Sequence, residues 1–230
     1  MVLDRPVNSK KIALRSDFRD YYDHWFDREG LVFHRHSQGG MSRGEMFEYL
    51  NIMGVPTPAY GSVFKLSKVL RDPDTPIVVY LDPTAHRGKG KVKLLLGEAL
   101  QNYPRYLATE FIAAPGRRPM SLRYLQIGGR FFWLRYQSDD AWRSNCGEVG
   151  IEILCSFAGY HPTIKLPLFA IDYIPIQETL MDLPFNKVAV DFNIAPQIQG
   201  TGIESLISGR AVFEEIQKMV KEPIEYRPGY

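Results

Sequence analysis

Two short apolar runs that each end in an aspartate constrain the fold of this chain most strongly. The runs are Phe169–Asp172 (FAID) and Lys187–Asn193 (KVAVDFN), and both are bounded by turn residues, so they are predicted to be neighbouring strands. Residues two apart on a strand project from one face, which places Asp191 and Asn193 together and lets the neighbouring strand bring Asp172 beside them. Two carboxylates and an amide oxygen suit Mg²⁺ beside phosphates. For any single aspartate, a solvated position at a strand end is the commoner explanation.

The residues around these aspartates resemble the carboxyl-terminal metal-binding strands of the ATP-grasp superfamily. The family has a G-x-D strand and then a strand that ends in E-x-N-x-x-P-G. This chain has Ile171-Asp172-Tyr173 and then Asp191-Phe192-Asn193-Ile194-Ala195-Pro196. Asp191 stands where the family more often has glutamate, which keeps the charge and shortens the side chain. The resemblance implies that Asp172, Asp191 and Asn193 hold Mg²⁺.

A second signature is a pair of segments in which apolar and polar residues alternate, joined by Gly128-Gly129. This pattern predicts a β-hairpin of residues 121–127 and 130–136. With the residues that follow, this hairpin resembles the family pattern D-x-R, G-G, R and then w-R-x-N-x-x-G. The resemblance implies that four side chains hold the γ-phosphate and the acyl-phosphate: Arg123, Arg135, Arg143 and Asn145. Cross-strand ion pairs are the alternative explanation for Arg123 and Arg135.

The strand predicted at Pro76–Asp82 is followed by a basic, glycine-bearing loop, His86–Lys91. Glycines let backbone N–H groups close on phosphate oxygens, and cations neutralise those oxygens, although a solvated turn is the commoner role for such a loop. The loop is similar to the mobile glycine-rich loop of ATP-grasp proteins, which folds over the triphosphate. The family usually has a phosphate-contacting lysine where this chain has Tyr80, so either Lys89 or Lys91 is expected to supply the charge.

Two further segments complete the nucleotide-binding half of the resemblance. Ser42–Glu45 forms a capping box that predicts a helix over residues 42–53, ended by Gly54. Arg43 is the basic residue nearest to the family's nucleotide-contacting lysine. Residues 106–112 are predicted to form a strand, similar to the one that carries the adenine-binding hinge. The implied nucleotide-binding residues are Arg43, Tyr80, Arg87, Gly88, Lys89, Gly90, Lys91, Glu110, Phe111 and Ile112.

Composition is that of an ordinary globular protein. The chain has 230 residues, 45% hydrophobic and 23% charged, and its net charge of +2 gives no independent argument for nucleic acid. Its two cysteines, Cys146 and Cys155, have no metal-ligand spacing and form no disulfide framework, which favours a reducing compartment. Since no apolar signal segment or membrane-length run is present, a cytoplasmic location without membrane contact is predicted.

Residues 149–160 are expected in the core, and residues 208–220 are predicted to form an amphipathic helix.

These segments predict the α+β class and, by resemblance, an ATP-grasp fold of two α/β lobes that clasp a nucleotide. The predicted units are a short N-terminal α/β segment (1–41), a lobe with the glycine-rich loop (42–113) and a C-terminal lobe with the metal site (114–230). The implied function is ATP- and Mg²⁺-dependent ligation, in which a carboxylate becomes an acyl-phosphate and an amine displaces the phosphate. Because the first segment is small, a peptide or macromolecule-linked acceptor, or a second copy of the chain in a homo-oligomer, would complete the substrate site.

Two other functions stay open at this point. A catalytically weak ATP-grasp-like protein, which binds a nucleotide or a partner as a regulatory module, is favoured by Tyr80 in the lysine position and disfavoured by the complete set of metal ligands. Nucleic-acid binding would use Arg117, Arg118 and the Lys89–Lys91 loop with nearby aromatic residues.

Overall fold

The computed structural model of the protein describes residues 42–82, 90–176, 186–193, 196, 198 and 200–221. The predicted segment 1–41 and the loop residues Arg87, Gly88 and Lys89 lie outside the described residues. The described elements, in chain order, are α1 (Arg43–Ile52), β1 (Tyr60–Ser62), α2 (Val63–Leu70), β2 (Pro76–Tyr80), β3 (Lys91–Leu95), α3 (Leu96–Asn102), β4 (Leu107–Glu110), β5 (Met120–Ile127), β6 (Arg130–Ser138), β7 (Val149–Ala158), β8 (Leu168–Pro175), β9 (Lys187–Asn193), a 3₁₀ turn (Ile203–Ser205) and α4 (Gly209–Lys221).

The described strands form two antiparallel sheets. The smaller has the order β1-β4-β2-β3, and the larger has the order β7-β6-β5-β8-β9. Residues 111–119 connect the last strand of the smaller sheet to the first strand of the larger one, and the lobe boundary that we propose at residues 113–114 falls in this connection. The arrangement is of the predicted α+β class. Within the described residues, no helix is long and apolar enough to cross a membrane.

The smaller sheet is built around β2, whose Ile77 and Val79 are completely buried. Both side chains pack against α2 and α3 in a compact apolar cluster that includes Leu66 and Leu96. The Ser62 side chain accepts a hydrogen bond from the Lys65 backbone and caps α2 at its start. β2 is therefore held on one face by two helices, and its register against β3 and β4 is fixed by burial.

The larger sheet contains the predicted β5–β6 hairpin, joined at Gly128-Gly129 as expected. Gly128 has a φ of +53° and lies so close to α4 that an added Cβ would be 2.5 Å from the Cβ of Glu215. Glycine is therefore required there both by the turn and by the helix contact. Behind the hairpin, α4 packs Val212 and Ile216 onto the sheet, which confirms the amphipathic helix predicted for this segment.

Residues 149–158 form β7 at the edge of the larger sheet, so the expectation that this segment lies in the core is wrong. β7 pairs with β6 alone among the described strands, and its side chains are half-buried or exposed along its whole length. Phe157, for example, is 54% exposed. The sequence is apolar because residues such as Ile151 and Ile153 still pack against the neighbouring cluster, while alternate positions face solvent.

The helix α1 joins the two sheets through one apolar cluster. Its predicted capping box is present, and Gly54 follows it with a φ of +71°. Phe47 and Leu50 are completely buried. They pack in a cluster, called here the shared core, that draws residues from both sheets: Met46, Phe47, Tyr49, Leu50, Val55, Val78, Tyr80, Leu122, Tyr124, Trp133, Ile164, Leu166, Phe169, Ile171, Tyr173, Ala189 and Phe192.

Beside the shared core, His161 is held as a neutral ring. Its Nδ1 accepts hydrogen bonds from the backbone N–H groups of Thr163 and Ile164, at 3.3 and 3.1 Å. The ring lies edge-on to Tyr124 and Phe169. Burial, together with the charges of Lys165 and Lys187, lowers the pKa of His161 from 6.5 to about 4.

Acid is therefore expected to destabilise the fold through His161. The unfolded chain binds the proton more readily than the folded one. The contribution of His161 to the free energy of unfolding is therefore fully present above pH 6.5 and is lost as the pH falls through 4. The loss attributable to this ring is about 3 kcal/mol at most. His161→Asn keeps an acceptor near Nδ1 and does not titrate, so urea unfolding at pH 7 and pH 4 should show a smaller acid loss in the variant. Equal acid losses in the two proteins would contradict the assignment.

Candidate functional site

A row of charged side chains crosses three neighbouring strands of the larger sheet. Arg123 on β5 stands directly opposite Asp172 on β8, which in turn stands opposite Asp191 on β9. Cross-strand partners share a face, so the three side chains lie side by side. The sequence-based prediction that strand pairing would bring Asp172 and Asp191 together is confirmed.

The inner pair of this row is a bidentate ion pair. Arg123 donates from Nε to Oδ1 of Asp172 at 2.7 Å and from Nη2 to Oδ2 at 2.8 Å. Both side chains are 15% exposed, so little water competes for either charge. Arg123 also donates to the Tyr136 hydroxyl at 3.2 Å. The pKa of Arg123 is raised because the carboxylate of Asp172 outweighs the cost of burying the guanidinium.

The outer aspartate is held by the first residue of α1. Arg43 donates from Nη1 to Oδ1 of Asp191 at 2.5 Å, and its guanidinium lies 5.6 Å from the centre of the Tyr80 ring. The charge of Asp191 raises the pKa of Arg43. The capped start of α1 therefore lies at the site, and it brings a cation from far along the chain to the end of β9.

These groups open onto a cleft between the two sheets. Its apolar lining residues are Val78, Phe111, Ile112, Trp142, Ile174 and Val190. The remainder is polar and is formed by Tyr80, Lys91, Thr109, Glu110, Ser121, Arg143, Ser144, Asn145, Asp172 and Asp191. Phe111 and Trp142 pack edge to face at 6.1 Å on the apolar side. The cleft therefore offers both apolar side chains, including an aromatic pair, and charged groups.

Two strands of the smaller sheet contribute Tyr80 and Lys91, which are direct cross-strand partners on β2 and β3. Tyr80 is 6% exposed, and burial raises its pKa. Burial lowers the pKa of Lys91, and the charge of Asp191 acts in the opposite direction. The Lys91 ammonium lies 5.7 Å from the centre of the Trp142 ring. Lys91 therefore faces the cleft at the level of the tyrosine.

The loop between β6 and β7 is shaped by Asp140. Its Oδ1 accepts hydrogen bonds from the backbone N–H groups of Trp142 and Arg143, at 3.0 and 2.8 Å, and its Oδ2 accepts from Arg143 Nη2 at 2.7 Å. The Arg143 side chain holds the pKa of Asp140 well below its usual range. Asp140 thus orients the turn that presents Trp142, Arg143 and Asn145 to the cleft.

Neither a protein-family model nor a curated protein matches this sequence. Solved structures do match. A structure described as the ATP-grasp ligase PsnB complexed with a minimal precursor aligns with a TM-score of 0.50 and 14% identity, over 75% of this chain and 58% of that one. The chain has the ATP-grasp fold.

Two other solved structures align with TM-scores of 0.47. One is a Chryseobacterium gregarium RiPP-associated ATP-grasp ligase in complex with ADP and a leader and core peptide, 13% identical over 80% of this chain and 60% of that one. The other is the Microcystis aeruginosa macrocyclase MdnC bound with its precursor peptide MdnA, 12% identical over 93% and 75%. The chain thus spans about three fifths of the first two structures that it matches.

The ATP-grasp resemblance placed Arg135 with the other arginines, and the structure does not bring it to the cleft. Leu134 is the cross-strand partner of Arg123, so Arg135 points from the opposite face of β6. There it forms an ion pair with Glu152, its own cross-strand partner on β7. The alternative explanation, a cross-strand ion pair, describes Arg135 correctly, and Arg123 also forms such a pair, with Asp172.

The other predicted residues divide by whether they line the cleft. Those that do are Tyr80, Lys91, Glu110, Phe111, Ile112, Arg143, Asn145, Asp172 and Asp191. Arg43 and Arg123 reach the cleft through their ion pairs with Asp191 and Asp172. Gly90 precedes Lys91 with a φ of +67°.

The sequence-based residue list lacked Trp142, Ser121 and Asp140. The aspartate two residues before the tryptophan was the available signal, because that spacing is typical of a side chain that closes its own turn.

The donor set in this ATP-grasp cleft fits a hard divalent cation. Asp172 and Asp191 line the cleft and are directly opposed. Asn193 shares a face with Asp191 two pairs further along the strands and is not among the described residues that line the cleft. Arg43 and Arg123 each occupy one lone pair of every carboxylate oxygen that they contact. Asp172 and Asp191 therefore keep further lone pairs that could bind a cation. Three or more His, Cys, Asp or Glu side chains do not cluster anywhere in the described ranges. An amide oxygen such as that of Asn193 would therefore complete the oxygen ligands that Mg²⁺ prefers.

Proposed function

We propose that this protein is an ATP-dependent ligase that activates a carboxylate as an acyl-phosphate and joins it to an amine, with Mg²⁺ held at Asp172, Asp191 and Asn193. The observation that supports the proposal is the composition of the cleft, which combines apolar and aromatic side chains with aspartates that are paired to arginines. A nucleotide has the same two parts, a flat base and an anionic phosphate chain. When bound, Mg²⁺ supplies charge neutralisation at the phosphate oxygens.

The first proposed step transfers a phosphoryl group. An oxygen of the substrate carboxylate attacks the γ-phosphorus of ATP, the bond to the bridging oxygen breaks, and ADP leaves with that electron pair. Arg123 and Arg143 would stabilise the negative charge of the transferring group, because each is fixed by its own aspartate before the substrate arrives. Preorganised cations of this kind need little rearrangement as charge develops.

The second proposed step is acyl transfer. The amine attacks the acyl carbon, inorganic phosphate leaves with the electrons of the broken C–O bond, and the amine loses a proton to water. Asn145 would donate its amide N–H to the acyl-phosphate, and the Phe111–Trp142 contact would help to exclude water from a hydrolysable intermediate. The proposed partners are ATP, a carboxylate substrate and an amine acceptor, with acceptors on peptides or other macromolecules and a homo-oligomer included in the proposal.

ADP release tests this function. With Mg²⁺ and ATP present, pooled carboxylates and amines are expected to stimulate ADP release by the wild-type protein. Asp191→Ala should reduce this release by at least about 100-fold, because it removes a proposed metal ligand and leaves Arg43 unpaired beside the phosphates. Glu152→Ala is the matched control, since it removes a carboxylate on the same sheet outside the cleft. Isothermal titration that shows no Mg·ATP binding by the wild type would overturn the proposal.

A regulatory nucleotide-binding protein is the second candidate, and the buried Tyr80 in the usual lysine position favours it. Under this alternative, titration should show nucleotide binding that depends on the cleft residues, and no pool of carboxylates and amines should stimulate ADP release. Binding without turnover across all the pools would therefore decide for the regulatory function.

A further inference from the structure

The two aspartates that line the cleft are each paired with an arginine, and the two ion pairs differ in strength. Arg123 binds both oxygens of Asp172, and both side chains are 15% exposed. Arg43 contacts a single oxygen of Asp191, and this carboxylate is 33% exposed. An ion pair that is partly hydrated and has one hydrogen bond is weaker than a buried bidentate pair. The Arg43–Asp191 pair is therefore the one that a competing cation opens first.

The oxygen that Arg43 contacts already accepts two hydrogen bonds. Oδ1 of Asp191 accepts from Arg43 Nη1 at 2.5 Å and from the backbone N–H of Phe192 at 2.9 Å. A carboxylate oxygen has two lone pairs, so a cation that binds Oδ1 must displace one of these donors. The guanidinium is also held beside the Tyr80 ring, and its Nη1 lies 3.6 Å from Sδ of Met46. Arg43 is therefore a cation that is already fixed against this oxygen.

The charge balance of the row acts in the same direction. Two aspartates and two arginines have a formal sum of zero, so the row offers a free divalent cation no net attraction. The charge of Arg43 also repels a second cation that approaches Asp191. A polyphosphate that carries the cation brings several negative charges, which offset this repulsion.

We propose that Arg43 is the resident counter-ion of Asp191, which keeps free divalent cations out of the cleft and makes the site selective for a metal–polyphosphate complex. This inference rests on the proposed metal site and gives Arg43 a role in choosing the ligand of that site. Arg123 does not share the role, because its pair with Asp172 is bidentate and buried.

Binding of Mn²⁺ in the absence of nucleotide tests this role without any turnover, since electron paramagnetic resonance measures the free ion directly. Arg43→Met removes the charge and keeps a long side chain, so Mn²⁺ affinity should rise at least about tenfold. Arg43→Lys keeps the charge and should stay within about threefold of the wild type. Arg135→Met is the matched control, because it removes an arginine from an ion pair on the same sheet outside the cleft, and it should leave Mn²⁺ affinity unchanged.

The double variant Arg43→Met with Asp191→Asn locates the gain. Its Mn²⁺ affinity should return to the wild-type level or fall below it, because the carboxylate that Arg43→Met releases is no longer charged. A gain that survives in the double variant would place the ion elsewhere and overturn the inference. Thermal melting without metal confirms that each variant is folded, and Arg43→Gln provides a second neutral variant with the same expected gain.

Titration with Mg·ATP and the ADP-release assay separate this inference from the proposed function. If the wild type binds Mg·ATP and neither neutral variant gains Mn²⁺ affinity, the role of Arg43 is wrong while the nucleotide site stands. If the wild type binds free Mn²⁺ as tightly as Mn·ATP, the site is not selective and the inference fails. If the neutral variants gain Mn²⁺ affinity and no pool of carboxylates and amines stimulates ADP release, the counter-ion role holds and the ligase proposal fails.

Discussion

Replacing Asp172 with asparagine is expected to cost the fold on the order of 3 to 5 kcal/mol. The carboxylate accepts two hydrogen bonds from Arg123, and both side chains are only 15% exposed. Asparagine has nearly the same shape but leaves the guanidinium buried without a counter-charge. Urea unfolding in the absence of metal and nucleotide measures the loss directly.

Two companion variants make the result specific to the buried pair. Glu152→Gln breaks the exposed ion pair with Arg135 and should cost under about 1 kcal/mol, since Glu152 is 55% exposed. The double variant Arg123→Met with Asp172→Leu removes both charges and should recover much of the stability that Asp172→Asn loses. If Asp172→Asn lowers the free energy of unfolding no more than Glu152→Gln does, then water hydrates the Arg123 guanidinium in the variant and the pair does not behave as buried.

Phe47→Ala is expected to produce a loss of similar size, about 3 to 5 kcal/mol. Phe47 is completely buried in α1, stacks on Tyr60 at 5.1 Å and lies edge-on to Tyr80 at 6.5 Å. Truncation to alanine leaves a cavity between rigid strands, where the surrounding backbone has little freedom to collapse. Guanidinium unfolding provides the measurement.

Phe64→Ala is the control for this prediction. Phe64 belongs to the next helix, α2, and is 56% exposed. Its truncation should change stability by less than about 1 kcal/mol. Similar losses for the two phenylalanines would mean that the shared core is loosely packed, and that α1 does not hold the sheets together in the way described.

The features that depend on local pattern were predictable from the sequence. Alternation around Gly128-Gly129 predicted the hairpin. Apolar runs that end in Asp172 and Asp191 predicted two adjacent strands, and their actual register places the aspartates opposite each other. Local spacing also predicted the capping box at Ser42. Each of these elements has a local signal in its own residues, and tertiary contacts reinforce the local preference.

The features that depend on long-range register were not predictable in the same way. The register of the β5–β6 hairpin decides whether Arg135 projects from the same face as Arg123, because a shift of one residue would exchange the two faces of β6. The Arg43–Asp191 pair joins residues far apart in sequence through the docking of α1 on β9. The sequence left Lys89 and Lys91 as equal candidates; Lys91 stands opposite Tyr80 in the smaller sheet, whereas Lys89 lies outside the described residues. The expectation that residues 149–160 lie in the core was wrong because apolar composition does not distinguish an edge strand from a central one.

The shared core has a mechanical consequence for the cleft. Since Val78 and Tyr80 of the smaller sheet are packed in the same cluster as Leu122 and Ile171 of the larger one, the floor between the sheets is continuous protein interior. Rotation of one sheet away from the other would expose apolar surface at roughly 25 cal/mol for each Å² uncovered. The shared core is therefore expected to resist rotation of one sheet against the other.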